Sequence, residues 1–164
     1  NVVDLEEINQ VNDEIKHIDV KSAKDMLTSI EDNIDGFDIF VSVAAVSDFT
    51  IKELSKNKIK SNKSLEIELV KNIDILKTIS RKYKLFTIGF AAETENLKKN
   101  ATKKLKEKEI SVIAANKVSF SEGIESIENS ITLYWGEGKE KLLKLKHKKD
   151  LAREFVEEIS YIYN

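Results

Sequence analysis

Residues 38–49 read D-I-F-V-S-V-A-A-V-S-D-F, and this stretch decides the fold. Between Ile39 and Val46 only Ser42 is polar, in a run rich in β-branched side chains. A membrane span needs about 20 apolar residues, so the run is far too short for one. It is also too short and too β-branched for a helix, which predicts a strand buried on both faces. Ala44 and Ala45 fall where that strand should end, with Asp48 just beyond them. Small residues at a strand's end let a ligand approach the backbone, and an acid beyond can meet it. Asp48 is equally suited to capping the next segment, and the residues alone leave both readings open.

A chain of 164 residues is expected to form one domain with a real core. Hydrophobic residues make up 41% and charged residues 34%, a balance typical of soluble domains. The formal charge of −2 lacks the basic field of a nucleic-acid binder. With no cysteine there is neither a disulfide nor a thiolate metal site, which suits a reducing compartment. His17 and His147 lie far apart with no ligand-like spacing and read as surface or edge residues. No signal peptide or membrane segment is recognisable, so the cytoplasm is the expected setting. The chain begins with Asn1 rather than Met, as a fragment of something longer would. It contains no proline, so turns rest on Gly, Asn, Asp and Ser.

Residues 1–14 are expected to form an irregular arm and Ile15 to Val20 a short strand. Ser22 and Asp25 make a capping box ahead of a helix over Ala23 to Asn33, which carries Ala23, Met26, Leu27 and Ile30 at helical spacing. Gly36 leads into the opening strand. Residues 50–63 are lysine-rich and poorly anchored, predicting a mobile loop, and Leu65 to Val70 alternates as a half-exposed strand. Asn72 is placed to cap a helix running to about Tyr83. Leu85 to Phe90 reads as a strand, Glu95 to Lys108 as a helix, and Ile110 to Ala115 as a third core strand ending at Asn116. After a loop over Lys117 to Asn129, Ile131 to Trp135 and Lys141 to Leu145 flank Gly136-Glu137-Gly138 as a hairpin. An amphipathic helix from Lys148 to about Tyr161 closes the chain.

This order predicts an α/β fold: an open, mainly parallel, Rossmann-like sheet with helices on both faces, plus a C-terminal hairpin and helix. Ligands of such sheets bind at the carboxyl ends of the strands, where Asp48, Glu93 and Asn116 are all expected. Lys104 and Lys108 share one helix face, as a solvated surface or as partners of a common anion. Lys58 and Lys60 lie in a loop that serves either as a lid or as a connector. Neither G-x-x-x-x-G-K nor G-x-G-x-x-G occurs, nor G-x-S-x-G, so the residues themselves point only to an anion-binding α/β domain.

A more specific pattern is the order of A-A-V-S-D-F (44–49), K-I-K-S (58–61), L-V-K-N-x-D-I-L (69–76), G-F-A-A-E-T (89–94) and A-A-N (114–116) before a C-terminal helix. From about Ile18 onward this resembles phosphopantothenoylcysteine synthetase (phosphopantothenate–cysteine ligase), the C-terminal half of the bifunctional coenzyme A biosynthesis flavoprotein. The resemblance implies a homodimer that uses CTP and Mg²⁺ to activate 4′-phosphopantothenate as an acyl-cytidylate, which the amine of L-cysteine then attacks. FMN is implied only if a decarboxylase is fused upstream, and neither nucleic acid nor membrane is an expected partner. Position by position, Lys58 matches the flap lysine that closes over the nucleotide and assists the second half-reaction. Ala44, Asp48, Ile73, Asp74, Ile75, Leu76, Phe90, Lys104 and Lys108 match nucleotide contacts. No metal ligand is assigned.

The chain also departs from that family. Ile73 stands where proline is usual, and Asn116-Lys117 where N-D is usual. The family's glycine-rich S-N-x-S-[ST]-G-type stretch, which supplies a catalytic asparagine, has no counterpart before Ile15. The expectation is therefore a ligase fragment inactive alone, with a catalytically silent nucleotide- or anion-binding module as the alternative.

Overall fold

The structure, a computed structural model, describes residues 15–53, 57–58, 66–118 and 126–164. The arm at 1–14, most of the expected 50–63 loop and residues 119–125 lie outside the described residues.

Helix α1 (Ala23–Asn33) starts where the capping box predicts: Ser22 Oγ accepts from Asp25 N, and Asp25 Oδ2 accepts from Ser22 N, both at 3.1 Å. Strand β1 (Ile39–Ser42) leads to an irregular segment and then β2 (Phe49–Ile51), β3 (Leu69–Lys71) and helix α2 (Ile75–Lys82). Strand β4 (Phe86–Glu93), helix α3 (Leu97–Lys108) and β5 (Val112–Lys117) follow, then the hairpin β6 (Glu128–Trp135) and β7 (Lys139–His147), and helix α4 (Lys148–Tyr163). The main sheet has the order β1-β4-β5-β6-β7. Its first three strands are parallel and the hairpin joins antiparallel, so the sheet is mixed, with a parallel half that carries the ligand edge.

Alternation along the strands divides the core. Ala91 and Ile113 face Leu76 of α2 and Ala101 and Leu105 of α3. Ile88, Val112, Ala114 and Leu133 face Leu151, Phe155 and Ile159 of α4 on the other side. Helix α1 packs beside α2 through Met26, Leu27 and Ile30 around the fully buried Ile79. Gly89 sets how close α2 comes to the sheet: a Cβ there would lie 2.5 Å from Leu76 Cδ2. Without that side chain the first turn of α2 settles directly over the β4 backbone.

Several expectations give way. Among the described residues strand β1 is a sheet edge paired with β4 alone, rather than a strand buried on both faces, and Ile39 and Val41 are 37% and 41% exposed. An apolar run shows that a segment favours burial, whereas neighbouring layers decide how much it gets. The strand also stops at Ser42, and Val43 to Ser47 leave the ladder. Ile15 to Val20 forms no strand, having no ladder partner among the described residues. Of the expected Leu65 to Val70 strand, Leu65 lies outside the described residues, and the ladder takes Leu69–Lys71 because its partner is β2, which draws Thr50 and Ile51 from the expected loop. Asp74, not Asn72, caps α2: its carboxylate accepts from Lys77 N at 3.1 Å. Asn72 uses its amide elsewhere, accepting from Ile73 N and donating to Ser47 O, both at 2.9 Å. Helix α3 begins at Leu97 rather than Glu95, after Asn96 in a left-handed conformation (φ 51°).

Candidate functional site

A cavity of about 210 Å³ opens where β1 ends. One wall is the segment from Ala44 to Asp48, which peels away from the sheet, and the other is the turn from Lys71 to Leu76. Ser42 of β1, Phe90 of β4 and Lys108 at the end of α3 complete it. The β2–β3 ribbon brings the walls together. Its ladder continues as Asn72 N–H donates to Asp48 O at 2.8 Å, while Asn72 Nδ2 holds Ser47 O. Residues 25 apart in sequence thereby become the two lips of one opening.

The aromatic wall is buttressed from behind: the Phe90 ring lies 5.4 Å from that of Phe155 on α4, tilted by 45°. The charged wall is a cross-helix pair, with Lys108 Nζ 3.0 Å from Asp74 Oδ1. Burial pushes the Asp74 carboxyl up, but the Lys108 ammonium and the Lys77 N–H outweigh it and hold the group below its ordinary 3.8. Asp48 also lines the cavity and has no ion-pair partner among the described residues.

Ala44, Asp48, Ile73, Asp74, Ile75, Leu76, Phe90 and Lys108 all line this cavity. Lys58 is exposed and does not line it. Lys104 does not line it either: one turn before Lys108, it pairs at 2.7 Å with Glu93, whose side chain is 12% exposed. Asn100 Nδ2 donates to the other Glu93 oxygen at 3.0 Å. Burial raises the Glu93 pKa, but Lys104 and Asn100 outweigh it and hold the carboxyl below its ordinary 4.5. The two lysines therefore meet separate carboxylates rather than a common counter-ion. Glu93 and Asn116 sit at the adjoining ends of β4 and β5, on the rim but outside the cavity. Ser47, Lys71 and Asn72 line the opening without having been singled out as ligand contacts. Pairing Phe49 to Ile51 with Leu69 to Lys71 is the signal that would have placed them there.

Among the described residues no group of three or more His, Asp or Glu side chains could hold a metal ion. Magnesium is commonly held by one or two carboxylates together with substrate phosphates, and a cavity lined by the Asp48 carboxylate fits that mode.

The family described as DNA/pantothenate metabolism flavoprotein C-terminal domain matches residues 2–162. The chain belongs to this family. Within it, the coenzyme A biosynthesis bifunctional protein CoaBC of Vibrio vulnificus (strain CMCP6) is 38% identical over 151 residues, covering 88% of this chain and 37% of that protein. The CoaBC of Bacillus subtilis (strain 168) is 35% identical over 146 residues, covering 87% and 36%. The crystal structure of the C-terminal domain of a CoaBC superposes with a TM-score of 0.70 at 35% identity, covering 89% of this chain and 65% of that one. The DNA/pantothenate metabolism flavoprotein from Streptococcus pneumoniae also gives 0.70, at 19% identity, which bears on the fold alone. This flavoprotein C-terminal domain thus spans little more than a third of the curated relatives it matches.

Proposed function

We propose that the chain is the CTP-binding part of a phosphopantothenate–cysteine ligase of coenzyme A biosynthesis. The carrying observation is the cavity at the end of β1, where the 44–48 and 71–76 segments, Phe90 and Lys108 meet in a member of this family. In the reaction, the 4′-phosphopantothenate carboxylate attacks the α-phosphorus of CTP, forming an acyl-cytidylate and releasing pyrophosphate. The amine of L-cysteine then attacks the acyl carbon, forming the amide and releasing CMP and a proton. The chain's contribution is chiefly positioning and charge neutralisation of a polyanion.

In this reading Phe90 and the backbone of Ala44 and of Ile73 to Leu76 hold the nucleoside. Lys108 and Lys104 neutralise phosphate charge, the latter once released from Glu93. Lys58 is carried on the segment between β2 and β3 and closes over the nucleotide. Asp48 would hold Mg²⁺ together with the triphosphate, and the ion supplies further charge neutralisation there. The setting is the cytoplasm, and the working unit is a homodimer. The β2–β3 ribbon, with Phe49, Ile51 and Leu69 exposed, supports that assembly as a pairing surface. FMN belongs to the scheme only where a decarboxylase precedes this domain.

Calorimetry with CTP and Mg²⁺ tests the reading. Absence of CTP binding, together with unchanged activity of Lys58→Gln in the full-length enzyme, overturns it. The second reading is a catalytically silent nucleotide- or anion-binding module. It is favoured by Lys117 in place of an acid and by the engagement of Lys104 and Lys108 with carboxylates. An S-N-x-S-type stretch upstream of Asn1 in the parent gene decides for the ligase, and its absence for the module.

A further inference from the structure

Lys108 is gripped by α2 at two points. Its ammonium meets Asp74, the N-cap of that helix. Its carbonyl lies 2.5 Å from the hydroxyl of Ser80, almost two turns further along α2. The last carbonyls of an α-helix have no partner within it, and Ser80 satisfies this one from a neighbouring helix. The same hydroxyl also lies 3.1 Å from Lys77 O within its own helix. Arg81 pairs with Glu109 beside it, fastening the end of α3. Ser80 does not line the cavity.

We propose that Ser80 is a positioning residue: by holding the Lys108 carbonyl it fixes the last turn of α3 so that the Lys108 ammonium is presented at the cavity. Without that bond the end of α3 can fray, and the ammonium samples positions away from Asp74. The effect on nucleotide affinity rests on the CTP reading above; the effect on Lys108 itself does not.

The experiment therefore has two arms. Competitive acetylation followed by mass spectrometry reads the reactivity of Lys108, with the exposed Lys106 as internal reference. Ser80→Ala should raise the Lys108 rate about two- to tenfold relative to Lys106, and Ser80→Thr, which keeps the hydroxyl, should not. In the second arm, Ser80→Ala should weaken CTP·Mg²⁺ binding by a similar factor in the otherwise wild-type protein and leave it unchanged in Lys108→Met. Should Ser80→Ala fail to fold, Ser80→Cys, a poorer donor of similar size, serves the same comparison. An unchanged Lys108 rate, or equal CTP weakening with and without Lys108, overturns the assignment; the latter would mean that Ser80 supports the fold generally. If the wild-type protein binds no CTP, the nucleotide reading falls, and the acetylation arm alone decides whether Ser80 positions Lys108.

Discussion

Asp74 and Lys108 stand 34 positions apart in the chain, yet Lys108 Nζ lies 3.0 Å from Asp74 Oδ1 at the cavity wall. One carboxylate thus caps α2 and orients the cation that ends α3. Replacing it tests both roles. Asp74→Ala should lower stability by about 0.5–2 kcal/mol through loss of the cap. Asp74→Asn, which can still accept from Lys77 N, should lose less, as denaturant unfolding of the pair would show.

Stability should also fall in acid through the two depressed carboxyls. A carboxyl whose pKa is lower in the folded than in the unfolded chain adds stability that is complete above its unfolded value and is lost as pH falls through its folded value. For Asp74 and Glu93 the loss therefore begins near their ordinary 3.8 and 4.5 and continues below. Unfolding free energies measured between neutral pH and about pH 3 should fall less steeply in Asp74→Asn and Glu93→Gln than in the wild-type protein.

Gly89→Ala should couple packing to the site. The added methyl meets Leu76 Cδ2 at 2.5 Å, and Leu76 lines the cavity. Overpacking of this kind costs about 1–3 kcal/mol. If the cavity binds CTP, affinity should fall as well, because relief of the clash moves the first turn of α2. Calorimetry gives both quantities on one sample.

Ile79→Ala separates stability from function. Ile79 is fully buried between α1 and the sheet and does not line the cavity. Its truncation should cost about 2–5 kcal/mol in unfolding experiments. CTP affinity measured well below the melting temperature should stay near the wild-type value.

The paired strands β2 and β3 test the assembly. Ile51 and Leu69 are cross-strand neighbours, 43% and 57% exposed. If copies pair through this ribbon, Ile51→Lys with Leu69→Lys should convert a dimer to a monomer by light scattering. A wild-type monomer at high concentration would exclude that surface as an interface.

Features that lie within a few residues of their cause were legible in the residues alone. The capping box at Ser22 and Asp25 marked the start of α1 because donor and acceptor sit three positions apart. The hairpin at Gly136 and Gly138 was legible for a similar reason: both glycines adopt positive φ, which other residues resist. Alternation of strand and helix was enough for the fold class, and motif order was enough for the family.

Which segments meet depended on packing between parts of the chain far apart in sequence. Packing made β1 an edge among the described residues, because the layers covering a strand come from elsewhere in the chain. It moved the cap of α2 from Asn72 to Asp74, because Asn72 bridges to Ser47 across the ribbon. On the helix surface Lys104 and Lys108 look like a pair awaiting one anion. In the fold each faces a different acid, Glu93 on β4 and Asp74 before α2, because local periodicity sets a residue's face and packing sets its partner.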